Sequence, residues 1–314
     1  MINLADPRIG SKVIFKTDDF FAAAHRILNI ETPVFKDGLF DKHGKWMDGW
    51  ETRRRRSKGF DYLILKLGKP GKIFDIDIDT THFNGNQPTH ASLEGCLSKT
   101  KPNKKTKWIS LLSKKKLRPS RNHSFKSKNK SVFNYIRLNI FPDGGVARLR
   151  LYGKIEMEKN LLNNKTINLT SVLNGASIIG CNNEHFGRAE NIIAPGRGKN
   201  MGDGWETRRR REPGNDWLII KLGKKSFLTK AEVDTAFFKG NYPESCSIQA
   251  INTDDISKVK DEDWLTIIPK SILHADKVHK FSISTKFHST EFSHIKLNIF
   301  PDGGVSRLRI FGHI

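Results

Sequence analysis

Cysteine is scarce in this chain. Cys96, Cys181 and Cys246 are an odd number, no two are spaced as CxxC, and no histidine pattern lies beside them. That excludes a disulfide framework and a zinc ribbon. Long hydrophobic runs are absent as well, since no segment approaches the roughly 20 apolar residues of a membrane span. The opening, MINLADPRIGSKVIF, lacks the basic start and unbroken apolar run of a secretion signal, and the closing FGHI is not an SKL-type peroxisomal address. A cytoplasmic protein with no membrane association is expected. HxH and HExxH spacings, a GxSxG elbow, a P-loop and a GxGxxG following a strand are all missing, so a His-based metal site and the familiar nucleophile and phosphate-loop chemistries are not indicated. No required cofactor is expected, although a site of Asp, Glu and water could hold Mg²⁺ or Mn²⁺.

Acidic residues are missing from one stretch. Gly95 to Pro142 contains no Asp or Glu but eleven Lys and three Arg, including KTKPNKKTK and SKKKLRPSR, in a chain of net charge +22. That stretch holds more than half of the surplus, so the charge is a local feature. Two readings attach to it: a solvated, lysine-biased loop region, and a polyanion-binding patch over 99–130. The first is preferred, and nucleic acid is not expected as a partner.

What the chain does contain is a duplication. DGWETRRRR runs from Asp48 to Arg56 and again, letter for letter, from Asp203 to Arg211. DYLILKLGKPGKIFDIDIDTTHFNGNQP (Asp61 to Pro88) matches DWLIIKLGKKSFLTKAEVDTAFFKGNYP (Asp216 to Pro243) at the same offset of 155, and RLNIFPDGGVARLRLYG matches KLNIFPDGGVSRLRIFG at 159. The drifting offset places insertions in loops. Two domains follow, 1–155 and 156–314, joined near Lys154 to Thr170.

The shared elements read as strands. Leu63, Leu65 and Leu67 alternate with polar or outward residues, and Phe74, Ile76 and Ile78 alternate with Asp75, Asp77 and Asp79. FPDGG is a turn by its chemistry, joining two strands as a hairpin. An all-β chain with one antiparallel sandwich per copy is expected, with helix confined to short pieces such as Asp18 to Leu28, capped by Asp18.

Apolar positions have drifted between copies, as at Leu65 and Ile220, whereas a nine-residue polar identity is hard to explain by packing. On a strand, Arg53 and Arg55 leave one face and Arg54 and Arg56 the other. Arg148 and Arg150, with Arg307 and Arg309 in the second copy, form a second pair on the hairpin. Matching acids are Asp48, Glu51, Asp79 and Asp143 in the first copy and Asp203, Glu206, Asp234 and Asp302 in the second; Asn86 recurs as Asn241, and Arg53 and Arg55 recur as Arg208 and Arg210. Interior Arg and Asp also pair merely to tie loops and strand ends. Trp50 and Trp205 are read as core or pocket wall.

These stretches, MGDGWETRRRREPGNDWLIIKLG, DTAFFKGNYP and LNIFPDGGVSRLRIFG with their first-copy counterparts, strongly resemble the signature stretches of allantoicases. The resemblance covers nearly the whole chain in two tandem units. It implies two jelly-roll sandwiches of the galactose-binding-like type, and hydrolysis of allantoate to ureidoglycolate and urea in purine breakdown, by a homo-oligomer. A non-catalytic jelly-roll ligand-binding module is the rival from another class. Allantoate carries one carboxylate and two ureido groups on one carbon, so a pocket for it needs a bidentate cation and several acceptors. Arg148 with Arg150, or Arg53 with Arg55, would hold the carboxylate, and Glu51 with Asp79 or Asp143 would move protons. The matching residues Arg307, Arg309, Arg208, Arg210, Glu206, Asp234 and Asp302 would do the same in the second copy, with Asp48, Asn86, Asp203 and Asn241 also contacting substrate. The first copy has an insertion of about ten residues before Asp48 and carries the lysine-rich segment; the second is the more dependable site.

Overall fold

The computed structural model describes residues 1–156 and 165–314, so part of the junction expected between Lys154 and Thr170 lies outside the described residues. The chain divides into two compact units, 1–156 and 157–314. In the first unit the strands are β1 (Ile2–Asn3), β2 (Lys12–Lys16), β3 (Phe40–Asp41), β4 (Gly44–Lys45), β5 (Trp50–Glu51), β6 (Asp61–Asp79), β7 (His90–Cys96), β8 (Ile109–Lys116), β9 (Asn122–Lys126), β10 (Val132–Phe141), β11 (Gly145–Val146) and β12 (Arg148–Ile155). The second unit has β13 (Ile167–Asn168), β14 (Ser177–Cys181), β15 (Trp205–Glu206), β16 (Asp216–Asp234), β17 (Ser245–Ile251), β18 (Leu265–Ile272), β19 (Val278–Ser282), β20 (Glu291–Phe300), β21 (Gly304–Val305) and β22 (Arg307–His313).

Each unit is an antiparallel jelly-roll sandwich organised around one long strand. The sequence reads YLILKLG and IFDIDIDT as separate runs, because Gly68, Pro70 and Gly71 between them look like a break. The chain instead continues through them as the 19-residue β6. Its first part pairs with β2 and β10, and its second part pairs with β9 and β12. The two glycines permit the crossing: a Cβ on Gly68 would lie 1.9 Å from Ile9 O, and one on Gly71 would lie 2.6 Å from Lys154 O. In the second unit β16 makes the same passage, pairing with β14 and β20 and then with β19 and β22.

Leu63, Leu65 and Leu67 from one part and Ile73, Ile76 and Ile78 from the other are buried in the sandwich core with Phe133, Ile136, Leu138, Leu149 and Leu151. Each such side chain contributes about 1.5–3 kcal/mol by leaving water. The expected inward Phe74 is the exception: the register skips it between Asp75 and Ile73, so the bulge makes Ile73 the core residue and leaves Phe74 partly exposed.

The helix expected over Asp18 to Leu28 is a single 3₁₀ turn, Ala24–Leu28. Its caps are spent elsewhere, since Asp18 pairs with Arg53 and only Asp19 reaches back to the amide of Ala24, at 3.3 Å. His123 and His279 play the same structural part in their two units. In each, Nδ1 donates to the Ile78 or Val233 carbonyl at 3.1 Å, and Nε2 accepts from the amide of Arg118 or His274 at 2.8 Å. The lysine-rich stretch includes β8, the last strand of its sheet, where Lys114, Lys115 and Lys116 are exposed. Lysines on an edge strand discourage pairing with another sheet.

Candidate active site

The hairpin turn Phe141–Pro142–Asp143–Gly144–Gly145 determines where the shared polar residues meet. The segment 80–88 folds over it, because Phe83 is fully buried against Gly145 and Gly49. A Cβ on Gly145 would lie 1.9 Å from the Phe83 ring, so only glycine admits the close approach. The Gly145 amide then donates to the Asn86 carbonyl at 2.8 Å, while β11 pairs Gly145 with Glu51 of β5. The Asn86 side chain thereby reaches Glu51, its Nδ2 donating to Oε1 at 2.7 Å. The second unit repeats each step: Phe238 lies on Gly304, the Gly304 amide donates to Asn241 O, and Asn241 Nδ2 donates to Glu206 Oε1.

Glu51 and Glu206 are half-buried, and neither forms an ion pair with Lys, Arg or His among the described residues. Burial pushes the Glu51 carboxyl above the usual glutamate range, against the opposing effect of the Asn86 hydrogen bond. A carboxyl placed this way can hold a proton and release it within a reaction cycle.

Four arginines follow each glutamate after one threonine, but they do not lie on a strand ladder; residues 52–56 and 207–211 belong to no strand. Arg53 and Arg55, expected to share one face, have separate partners. Arg53 is exposed and bonds to Asp18 Oδ1 through Nε at 3.0 Å and Nη2 at 2.8 Å. Arg55 turns inward to the buried Asp61 at 2.9 Å, and Arg210 does the same with Asp216 at 3.1 Å. Asp143 and Asp302 brace these segments, accepting from the Arg55 and Arg210 amides at 2.7 and 2.8 Å.

A second group gathers around β12. Arg148 is 1% exposed and donates to the carbonyls of Glu31, Asp48 and Ala147 and to Asp48 Oδ2 at 2.6 Å. Asp48 also accepts from Val34 N and Asn29 Nδ2, so the pair anchors the segment 29–34. Burial works to raise the Asp48 carboxyl, yet the hydrogen bonds from Arg148 and Val34 outweigh it and hold the group below the usual carboxylate range. Arg150 reaches the Glu31 carbonyl at 3.2 Å. In the second unit Arg307 pairs with Asp203 at 2.7 Å, and Arg309 donates to Ala194 O and Gly196 O. Burial, reinforced by Arg307, brings Arg309 down to about 10. Asp79 is buried and bonds to the Thr81 amide and hydroxyl, and Asp234 to the Ala236 amide.

The expected site residues thus divide. Glu51 with Asn86, and Glu206 with Asn241, are brought together. Asp48, Asp79, Arg148 and Arg150 share one sheet end, where their polar atoms serve neighbouring loops. Asp79 and Asp143, the expected proton partners of Glu51, make their own contacts to Thr81 and Arg55. Sequence reasoning missed Asp18, Asp61 and Asp216, although Asp61 and Asp216 head the shared runs DYLILKLG and DWLIIKLG and could have been read there. Trp50 and Trp205 are fully buried.

Among the described residues no group of three or more His, Cys, Asp or Glu is arranged to hold a metal. A cleft of about 440 Å³ lies on the outer face of the β6–β9–β12 sheet, lined by Met1, Asp75, Asp77, Ser124, Lys126 and Tyr152. Only one of its two acidic positions is acidic in both repeats, because Asp75 and Asp77 correspond to Lys230 and Glu232 in the second repeat. The repeated residues are therefore the better guide to the site.

Comparison with known proteins gives a consistent answer. The family model described as Allantoicase repeat matches twice, over residues 2–156 and 167–314. A probable allantoicase of Rhizobium meliloti is 47% identical over 320 residues, covering 100% of this chain and 94% of that protein. One from Acinetobacter baumannii strain SDF is 48% identical, covering 99% and 94%. The crystal structure of the Saccharomyces cerevisiae allantoicase superposes with a TM-score of 0.86 at 34% identity, covering 99% of this chain and 93% of that one.

Proposed function

This chain belongs to the allantoicase family, and from that premise we infer that it is a hydrolase converting allantoate and water to ureidoglycolate and urea, a step of purine degradation. The observation that carries the reading at residue level is the pairing of a half-buried glutamate, without an ion-pair partner among the described residues, with an asparagine amide, built twice from the same parts. In the reaction the bond from the central carbon to one ureido nitrogen breaks, a water oxygen bonds to that carbon, and the departing nitrogen takes a proton to leave as urea. Glu51 and Glu206 supply that proton and recover one from water, the elevated proton affinity of Glu51 suiting the first half of the cycle. Asn86 and Asn241 hold the glutamates through Nδ2, which leaves each Oδ1 to accept a ureido N–H.

The substrate carboxylate needs a guanidinium outside the buried pairs. Arg148 and Arg307 are enclosed and already bonded to Asp48 and Asp203, whereas Arg53 and Arg208 follow the glutamates by two residues and are exposed. They are the carboxylate-binding arginines in this reading, and Asp48, Asp79, Arg148, Arg150 and their counterparts support the loops around it. The three free cysteines fit work in the cytoplasm. The exposed Val34, Phe35 and Phe40 of the first repeat fit burial in a homo-oligomer, which light scattering of the purified chain would detect.

Urea release from allantoate tests the assignment. The Glu51→Gln/Glu206→Gln double variant should lose at least about 100-fold in kcat, the range general acid–base groups contribute. Full turnover by that variant would remove the glutamates from the mechanism.

A further inference from the structure

The two sites differ at a position outside the shared nine-residue motif. In the first repeat Asp18 takes the Arg53 amide on Oδ2 at 2.7 Å, and its Oδ1 accepts from both Nε and Nη2 of the same arginine. Phe20 packs under that guanidinium, 5.2 Å from the ring centre. The matching residue of the second repeat is Asn183. It preserves the frame: its Oδ1 accepts from the Arg208 amide at 3.3 Å, and its carbonyl accepts the Trp205 indole at 2.8 Å, as the Asp18 carbonyl accepts Trp50 at 2.7 Å. The charge is what differs. The Arg208 guanidinium is exposed and makes no hydrogen bond or ion pair among the described residues.

We propose that Asp18 acts as a built-in competitor that occupies the anion-binding fork of Arg53, while Asn183 leaves the fork of Arg208 open, so that the second repeat is the site of tight substrate binding. The inference rests on the reading that these arginines receive the substrate carboxylate. Nε and Nη2 are the two donors a planar carboxylate engages side by side, and in the first repeat an aspartate already holds them. An anion arriving there must displace Asp18 or bind next to its negative charge. At Arg208 it meets a cation with no ion-pair partner among the described residues. The position is a specificity switch made by one side-chain atom, since Asp and Asn have the same shape and each is accommodated by the same local frame.

The exchange tests it in both directions by steady-state urea release. Asn183→Asp should raise KM for allantoate about tenfold while kcat changes far less, the signature of lost ground-state binding. Asp18→Asn, made in the Glu206→Gln background so that the first site is observed, should lower KM about tenfold. A KM change below about twofold in either variant, with folding verified by circular dichroism, would overturn the proposal. The functional reading fails separately: if Arg208→Ala leaves KM unchanged, the carboxylate binds elsewhere, whereas a raised KM in Arg208→Ala with no response to Asn183→Asp defeats only the competitor role of Asp18.

Discussion

Replacing Asp48 with alanine should cost the first repeat about 3–5 kcal/mol, the range seen when one partner of a buried ion pair is removed. The side chains of Arg148 and Asp48 are 1% and 6% exposed and meet at 2.6 Å. Alanine strips the acceptor from Arg148 Nη2, Val34 N and Asn29 Nδ2 together, leaving a cation enclosed without counter-charge. The second repeat provides an internal standard: Asp203 pairs with Arg307 at 2.7 Å, but its side chain is 18% exposed, so water reaches the vacated place. Asp203→Ala should therefore cost less, about 1–3 kcal/mol. Removing both charges in Asp48→Ala/Arg148→Met should recover much of the loss, because the penalty comes from the unpaired ion. The Asp48 carboxyl is held below its ordinary range, so its contribution is present above the unfolded value of about 3.9 and is lost as pH falls through the lower folded value. Between pH 5 and 8 the measured penalty should be flat. Urea denaturation followed by tryptophan fluorescence, with each transition assigned by the repeat that shifts, is the assay. An Asp48→Ala transition within about 1 kcal/mol of wild type would refute the reasoning, as would a double variant no more stable than the single one.

Further outcomes follow from the same geometry. Gly145→Ala and Gly304→Ala force a methyl into Phe83 and Phe238 and should each destabilise by about 1–3 kcal/mol in denaturant titration. His279 and His294 are held below the usual histidine range chiefly by burial, so the unfolded chain binds more protons in acid; stability should be full above about pH 6.5 and fall below it, by up to about 1.4 kcal/mol per pH unit for each histidine, and His279→Gln should flatten that slope. Replacing Lys114, Lys115 and Lys116 by glutamine should leave urea release and its salt dependence unchanged if the segment is an edge guard, with a steep salt response counting against it. Dialysis against a chelator should leave turnover intact, since catalysis is assigned to the glutamates.

The fold was legible wherever period and repetition carried it. Two near-copies announced two units, and alternating Leu63, Leu65 and Leu67 announced strands with one buried face. The passage of β6 between sheets was not legible, because Gly68, Pro70 and Gly71 have the composition of a turn whether or not the chain turns. Phe74 was assigned inward by strict alternation, which a single bulge shifts by one residue. The candidate site could be proposed from residue identity but not from partnership. Glu51 and Asn86 stood out by recurring, but nothing in the spacing told that the amide would meet the glutamate. Asp48 and Arg148 are 100 residues apart, and only the folded loop segment 29–34 reveals that they face each other rather than solvent. The run of four arginines suggested a strand; without a ladder partner its side chains scatter to Asp18, Asp61 and water.

The long strand that belongs to both sheets of each repeat has a mechanical consequence. A sandwich whose layers are joined only by loops can lose one layer while the other persists. Here the layers share a backbone, so the outermost strands can fray alone, but releasing either half of Asp61–Asp79 removes the central support of its sheet and uncovers the core side chains of the opposite one. Each repeat is therefore a single cooperative block, and amides along β6 and β16 should exchange with solvent together and only through complete unfolding of their own repeat.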